Sequence, residues 1–221
     1  MRHGYTARQV RDAEAPHLAA GEPLMARAAL GLAAAVRDVL TGRTRVLLLV
    51  GSGNNGGDAL FAGAHLAASG CDVRIIEVGS RVHEAALADA VAAGARVSPA
   101  EDAAELAAAS DVVVDGILGT GAAASPALRG RGREVVAAIL PILEQADRPR
   151  VVAVDIPSGI HPDDGTVPDP VVLAADVTVT FGACKAGLLR GRAVALSGQV
   201  RVVPIGIEDD LARLTPAITV P

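Results

Sequence analysis

The sequence predicts an α/β fold, a three-layer αβα sandwich around a mostly parallel central sheet, and three observations carry that prediction. Short apolar runs such as Arg45–Val50 alternate with longer Ala/Leu segments of helical period, the pattern of βαβ units. The first such run opens into a Gly-rich turn, Gly51-Ser-Gly-Asn-Asn-Gly-Gly-Asp58, that leads into a helix; this makes the architecture Rossmann-like. The 221 residues are 51% hydrophobic and only 20% charged, with a mean hydropathy of +0.39. Strands buried on both faces of a parallel sheet produce such values. At roughly 150 residues per domain, this length reads as a single domain over 1–207, with 208–221 as a C-terminal tail or linker stub.

Each element follows in order. Thr6 is a candidate N-cap for a helix over 6–19, and Gly21 separates it from a second helix over 22–41. Leu24, Ala28, Leu32, Ala35 and Val39 recur there at helical spacing. Residues 45–50 form a buried strand, and the helix after the Gly-rich turn runs to about Ser69, where Gly70 ends it. Residues 72–78 give the next strand, completing a βαβ unit with a right-handed crossover. Helices follow over 82–94 and 101–109, with a short strand at 96–98 between them. Residues 111–114 read as a strand, 131–146 as a helix and 151–154 as a strand. Two last strands, 177–180 and 199–203, flank a Gly-rich connection. Residues 215–221 show weak periodicity and read as tail, and His3 lies in a mobile terminus.

Composition removes several function classes. The aromatics are Tyr5, Phe61 and Phe181, with no Trp, which leaves almost nothing to stack on bases. The net charge of −5 and the absence of a Lys/Arg run argue against a nucleic-acid backbone binder. Cys71 and Cys184 make no disulfide framework in a chain of this length, and no Cys/His cluster has zinc spacing. No apolar stretch of about 18 residues exists, and the N-terminus resembles neither a signal nor a transit peptide. The reading is a cytoplasmic protein without membrane or nucleic-acid partners.

The Gly-rich turn carries the first chemistry. Its glycines permit close approach of the backbone to a ligand and positive φ, and the following helix N-terminus favours an anion. Residues 51–56 satisfy Gly-x-Gly-x-x-Gly literally but not the P-loop pattern. Asp58, inside that helix, would repel a pyrophosphate and is better suited to orient a hydroxyl or an amide. Asp115 and Asp155 each end a strand, so three strand ends meet at one crevice, where ligands collect in open α/β sheets. Asn55, Asp115 and Ser158 offer hard oxygens that suit an alkali or alkaline-earth cation, and a single carboxylate favours a monovalent one. Gly119-Thr-Gly121 has the freedom to wrap a phosphate. Arg129, Arg131 and Arg133 read as a solvated basic loop rather than a phosphate-steering patch. Lys185 is the only lysine beside 19 arginines, and lysine, unlike arginine, can lose its proton when desolvated. Cys184 reads as a packing residue, and His17, His65, His83 and His161 as structural or solvated groups.

The motifs as a set are similar to those of the NAD(P)H-hydrate epimerases, the family of YjeF N-terminal domains. The turn resembles that family's G-P-G-N-N-G-G-D, and Val114-Asp-Gly-Ile-Leu-Gly-Thr-Gly121 its D-A-L-F-G-T-G. Residues 151–159 match V-A-V-D-I-P-S-G, and 180–188 resemble T-F-G-A-P-K-P-G-L. Tyr5–Glu14 and Leu24–Ala28 are similar to its opening helices, so the resemblance covers about residues 5–207. It implies an isomerase that interconverts the R and S forms of hydrated NADH and NADPH, NADHX and NADPHX, in cofactor repair. It implies one K+ per subunit on Asn55, Asp115 and Ser158. It also implies substrate contacts from Asn54, Asn55, Gly56, Gly57 and Asp58, from Gly119, Thr120, Gly121, Ala122, Ala123, Ala124 and Ser125, and from Asp155. Inversion needs a positioned acid/base; Asp155 is the candidate, with Lys185 as a second group or a stabiliser. The implied partners are an ATP/ADP-dependent NAD(P)HX dehydratase, separate or fused, and a second copy in a homodimer. Nothing after Ile207 is long enough to be that dehydratase. Ser52, Ala59, Gly116-Ile117-Leu118, Cys184 and Ala186 depart from the family pattern and bear on pocket shape rather than charge. Two other readings stand beside this one: a Rossmann-type oxidoreductase with Glu77 as the ribose acid, and a non-catalytic nucleotide-binding or scaffold domain of the same type.

Overall fold

The computed structural model describes residues 1–122 and 124–221. In chain order the elements are β1 (Arg2–Gly4), α1 (Ala7–Ala19), α2 (Leu24–Leu40), β2 (Arg45–Val50), α3 (Asn54–Ala68), β3 (Asp72–Glu77), α4 (Glu84–Ala92) and β4 (Arg96–Val97). They continue with α5 (Ala103–Ala109), β5 (Val112–Gly116), α6 (Gly130–Ile139), β6 (Arg150–Val154), β7 (Val177–Phe181), α7 (Ala193–Leu196), β8 (Gln199–Val203), α8 (Glu208–Ala212) and β9 (Ile218–Val220). Seven strands form one sheet in the order β4-β3-β2-β5-β6-β7-β8, and every pairing in it is parallel. The three-layer α/β sandwich is therefore as the sequence predicts.

The strand sequences explain the layers. Successive side chains point to opposite faces, and β2 is apolar on both. Val46, Leu48 and Val50 join α2, α3 and α4 in one core, while Leu47 and Leu49 join α5 and α6 in the other. Thr6 caps α1 through a capping box: its hydroxyl accepts from the Gln9 N–H (3.1 Å), and the Gln9 side chain accepts from the Thr6 N–H (2.9 Å). Such a cap stabilises by roughly 1 kcal/mol.

Two expectations change. The helix predicted over 131–146 ends at Ile139, because Pro141 cannot supply an α-helical N–H, and 140–144 continue as a 3₁₀ turn. Residues 208–221, read as a tail, carry α8 and β9. Leu211 is buried in the larger core, and β9 pairs antiparallel with β1 from the other end of the chain. His3 lies in that pairing, with Nδ1 2.9 Å from the Thr219 hydroxyl.

Candidate active site

The C-terminal ends of β2, β5, β6 and β7 converge on a cavity of about 900 Å3, which α1 and the start of α2 also line. The Gly-rich turn is held close to the loop after β5: a Cβ on Gly51 would collide with the Ile117 carbonyl, and one on Gly56 with the Gly51 carbonyl. None of Gly51, Gly53, Gly56 or Gly57 has positive φ. The turn thus needs glycine for close approach, and the expectation of left-handed backbone there is corrected.

Asp155 is placed by strain and by partners. It follows β6 with φ +65°, a left-handed conformation that Asp tolerates better than most side chains but at a cost of order 1 kcal/mol. Its N–H donates to the Val179 carbonyl (2.7 Å), and its Oδ1 accepts from the Thr180 hydroxyl (3.0 Å). The same oxygen lies 2.5 Å from Lys185 Nζ. Lys185 is 2% exposed and also donates to the Phe181 carbonyl (2.8 Å). A buried charge persists only when paired and hydrogen-bonded, and this pair meets both conditions. The backbone of Tyr5 braces the lysine's segment on both sides, donating to the Cys184 carbonyl (2.9 Å) and accepting from the Ala186 N–H (2.8 Å).

Two further carboxyls line the cavity. Asp58, on the first turn of α3, is nearly buried and its pKa is pushed up to about 8, by desolvation first and then by Asp155, against the pull of Lys185. Glu14 of α1 is raised as well, chiefly by burial. Sequence reasoning did not select Glu14. Its only sequence signal is its place, one helical turn after Val10 on the stripe that faces the cavity.

Asn55, Asp115 and Ser158 come together beside the cavity wall. The Ser158 hydroxyl donates to Asp115 Oδ1 (2.6 Å) and accepts from the Leu118 N–H (2.8 Å). The Ser158 N–H donates to Asp115 Oδ2 (2.8 Å), and Asn55 Nδ2 donates to the Leu118 carbonyl (2.9 Å). Asp115 is fully buried, and among the described residues no Lys, Arg or His pairs with it. Desolvation raises its pKa, opposed by the Ser158 and Ile117 hydrogen bonds. A Cβ on Gly119 would press to 2.9 Å from Asn55 Oδ1, so glycine leaves that oxygen open. A buried, uncompensated carboxylate beside amide, hydroxyl and carbonyl oxygens fits a cation held by oxygen.

The remaining predicted residues divide. Asn54, Asn55, Gly119, Thr120, Gly121, Ala122 and Ser125 line the cavity, Gly56 and Gly57 are buried behind the turn, and Ala124 is exposed. Ala123 lies outside the described residues. Arg129 lines the cavity, whereas Arg133 pairs with Asp169 at 3.1 Å. Glu77 ends β3 but is not part of the cavity wall. His17 is not partnerless: its ring bridges Glu22 (2.7 Å) and Asp210 (2.8 Å), tying α1 to α8.

Comparison with known proteins adds the last observations. Residues 21–187 match the family model described as YjeF-related protein N-terminus. The chain is 54% identical over 220 residues to the NAD(P)H-hydrate epimerase of Clavibacter michiganensis subsp. michiganensis, spanning 97% of this chain and 94% of that protein. It is 55% identical to the NAD(P)H-hydrate epimerase of Microbacterium testaceum, over 97% of this chain and 83% of that protein. The bifunctional NAD(P)H-hydrate repair enzyme Nnr of Mycobacterium tuberculosis is 41% identical over 94% of this chain, which corresponds to 42% of the longer protein. The crystal structure of the yeast protein ynu0 superposes with a TM-score of 0.73 at 19% identity, over 90% of this chain and 86% of that one, a likeness of fold.

Proposed function

The chain belongs to the YjeF-related N-terminal family, and from that premise we propose that it catalyses the epimerisation of hydrated NADH and NADPH in nicotinamide cofactor repair. The observation that carries the reading is the buried Asp155–Lys185 pair at the strand ends of a cavity large enough for much of a dinucleotide. Asp155 acts as general acid/base at carbon 6 of the nicotinamide ring, the carbon that bears the hydroxyl. Lys185 holds its carboxyl group in place. The substrate's diphosphate lies along the Gly-rich turn and residues 119–125, where the N-terminus of α3 offers free N–H groups and a favourable dipole. Asn54 and Asn55 contact it from α3, and Asp58 orients a hydroxyl or an amide of the substrate.

K+ is the cation we assign to Asn55, Asp115 and Ser158. It would neutralise Asp115 and stiffen the 117–119 loop against α3, and when bound it would supply a fixed positive charge at these residues. Potassium at about a hundred times its dissociation constant should stabilise the fold by about 2.7 kcal/mol. Thermal midpoints in potassium against a large organic cation check this, and Asp115→Asn should remove the difference; an identical response in the variant would remove the ion from these residues.

An epimerase alone returns no usable cofactor, so the function requires an NAD(P)HX dehydratase, separate or fused; the Mycobacterium tuberculosis relative, of which this chain spans 42%, is named a bifunctional repair enzyme. Free thiols at Cys71 and Cys184 support a reducing, cytoplasmic setting. The exposed edge strand β8, with Val202 beside a groove of about 600 Å3, supports a homodimer. The deciding experiment follows R/S interconversion of purified NADHX by reverse-phase chromatography. Equilibration faster than the protein-free control by several orders of magnitude is the expected result. Binding without interconversion would favour the scaffold reading and overturn this one.

A further inference from the structure

Val10, Glu14 and Leu18 stand one helical turn apart on α1, with Arg11 and Ala15 beside them, and all five line the cavity. Residues at i, i+4 and i+8 share one helix face, so Glu14 is the only carboxylate that α1 presents to the ligand. Asp58 and Asp155 line the same cavity from elements at the C-terminal edge of the sheet. The α1 wall is held in register with the catalytic pair, because Tyr5, just before the helix, is hydrogen-bonded on both sides of Lys185. Glu14 is half-buried, and among the described residues its side chain has neither a hydrogen-bond partner nor an ion pair. Arg11, Asp155 and Lys185 are the charged groups that act on it, together with Asp58, on which its own charge acts.

We propose that Glu14 is the second catalytic acid/base of the epimerisation, serving the ring face turned toward α1 while Asp155 serves the face turned toward the strand ends; the inference rests on the activity proposed above. Inversion at carbon 6 breaks a carbon–oxygen bond on one face and makes one on the other. A carboxyl group on the first face gives its proton to the hydroxyl, which leaves as water with the bonding pair. The lone pair of the ring nitrogen forms a double bond to carbon 6, and the nitrogen carries the positive charge. Solvent water then adds its oxygen pair to carbon 6 from the opposite face, and the double-bond pair returns to nitrogen. The carboxylate on that face takes the proton released. One proton is given and one taken, one water is lost and one gained, and the reverse reaction exchanges the two roles. A single group fixed at the strand ends reaches only one of these faces.

The test is Glu14→Gln, assayed from each pure epimer in water enriched in oxygen-18. Inversion should slow by about 10²-fold or more, the usual contribution of a positioned acid/base, with KM changed less than threefold. The epimer whose hydroxyl faces Asp155 should still exchange its oxygen with retention, so the ratio of inversion to exchange falls at least tenfold. Glu14→Asp, which withdraws the carboxyl by one carbon, should lie between the variant and wild type, and it serves as the readout if the glutamine variant does not fold. Inversion within threefold of wild type in a folded variant, or inversion and exchange falling in parallel, would overturn the two-face assignment. Failure of the epimerase reading itself would show in the wild-type protein, which would then not interconvert the epimers at all.

Discussion

The proposed chemistry rests on single side chains that the fold holds under strain or without solvent. Asp155 keeps its left-handed backbone only because the Val179 carbonyl, Thr180 and Lys185 hold it. Asp155→Asn preserves an oxygen for those donors but cannot exchange a proton, so steady-state turnover should fall by about 10²–10⁴ while circular dichroism stays unchanged; turnover within threefold of wild type contradicts the assignment. Asp58 makes a prediction of opposite character. Its pKa near 8 in the fold lies above the ordinary carboxylate value of about 4, so the folded state retains a proton that the unfolded state loses. Stability should therefore decline as pH rises from about 4 to about 8 and level off above that. Asp58→Asn should flatten this slope and raise the thermal midpoint at pH 8 relative to wild type, as differential scanning fluorimetry across pH would report. Asp115, Asp155 and Lys185 stand out in the sequence as candidates because strand ends and a lone lysine are local signals. Glu14 and the bridge from His17 to Asp210 do not, since each depends on elements far apart in the chain that only packing brings together.

Elements repeat the lesson at longer range. The longer helices and the buried strands of the large sheet announce themselves by period, 3.6 against short apolar runs, and their observed bounds differ from expectation by only a few residues except where Pro141 cuts α6 short; α7 and α8, of four and five residues, give no such signal. Strands β1 and β9 are three residues each, too short for any period, and so the sequence shows tails where the structure has a pairing. The Gly-rich turn stands out in the sequence as a candidate ligand loop, but the reason for its glycines emerges from contact between elements. A Cβ on Gly56 would meet the Gly51 carbonyl, so glycine there lets α3 seat on the end of β2. Gly56→Ala should therefore overpack the junction and cost about 1–3 kcal/mol, with weakened substrate binding as α3 shifts. Urea denaturation with KM measured in parallel checks both, and an alanine variant equal to wild type in stability would show that the junction yields.

Across the whole molecule, the first and last strands meet beside Lys185 rather than trailing from the sheet. The β1–β9 pairing aligns Arg2–Gly4 with Ile218–Val220. Around it, Gln9 donates to the Thr215 carbonyl (2.8 Å) and Arg190 to the Ala217 carbonyl (2.8 Å). Gly4 packs so closely on Ala186 and Ile218 that a Cβ would overlap both. The C-terminal strand thereby fixes β1, β1 leads into Tyr5, and Tyr5 holds the segment of Lys185 and starts the helix that bears Glu14. Removing residues 215–221 deletes this clasp while leaving the seven-stranded sheet and its two cores untouched. Several hydrogen bonds at about 1 kcal/mol each, in a chain where 1 kcal/mol moves the midpoint by roughly 2–4 °C, should lower the melting temperature by about 5–10 °C. Far-ultraviolet circular dichroism should remain native. Turnover should fall further than KM rises, because the truncation loosens the groups that move protons more than the turn that holds the diphosphate. A truncated chain that melts at the lower temperature yet turns over at the wild-type rate would detach the clasp from catalysis and leave it a stabilising device alone.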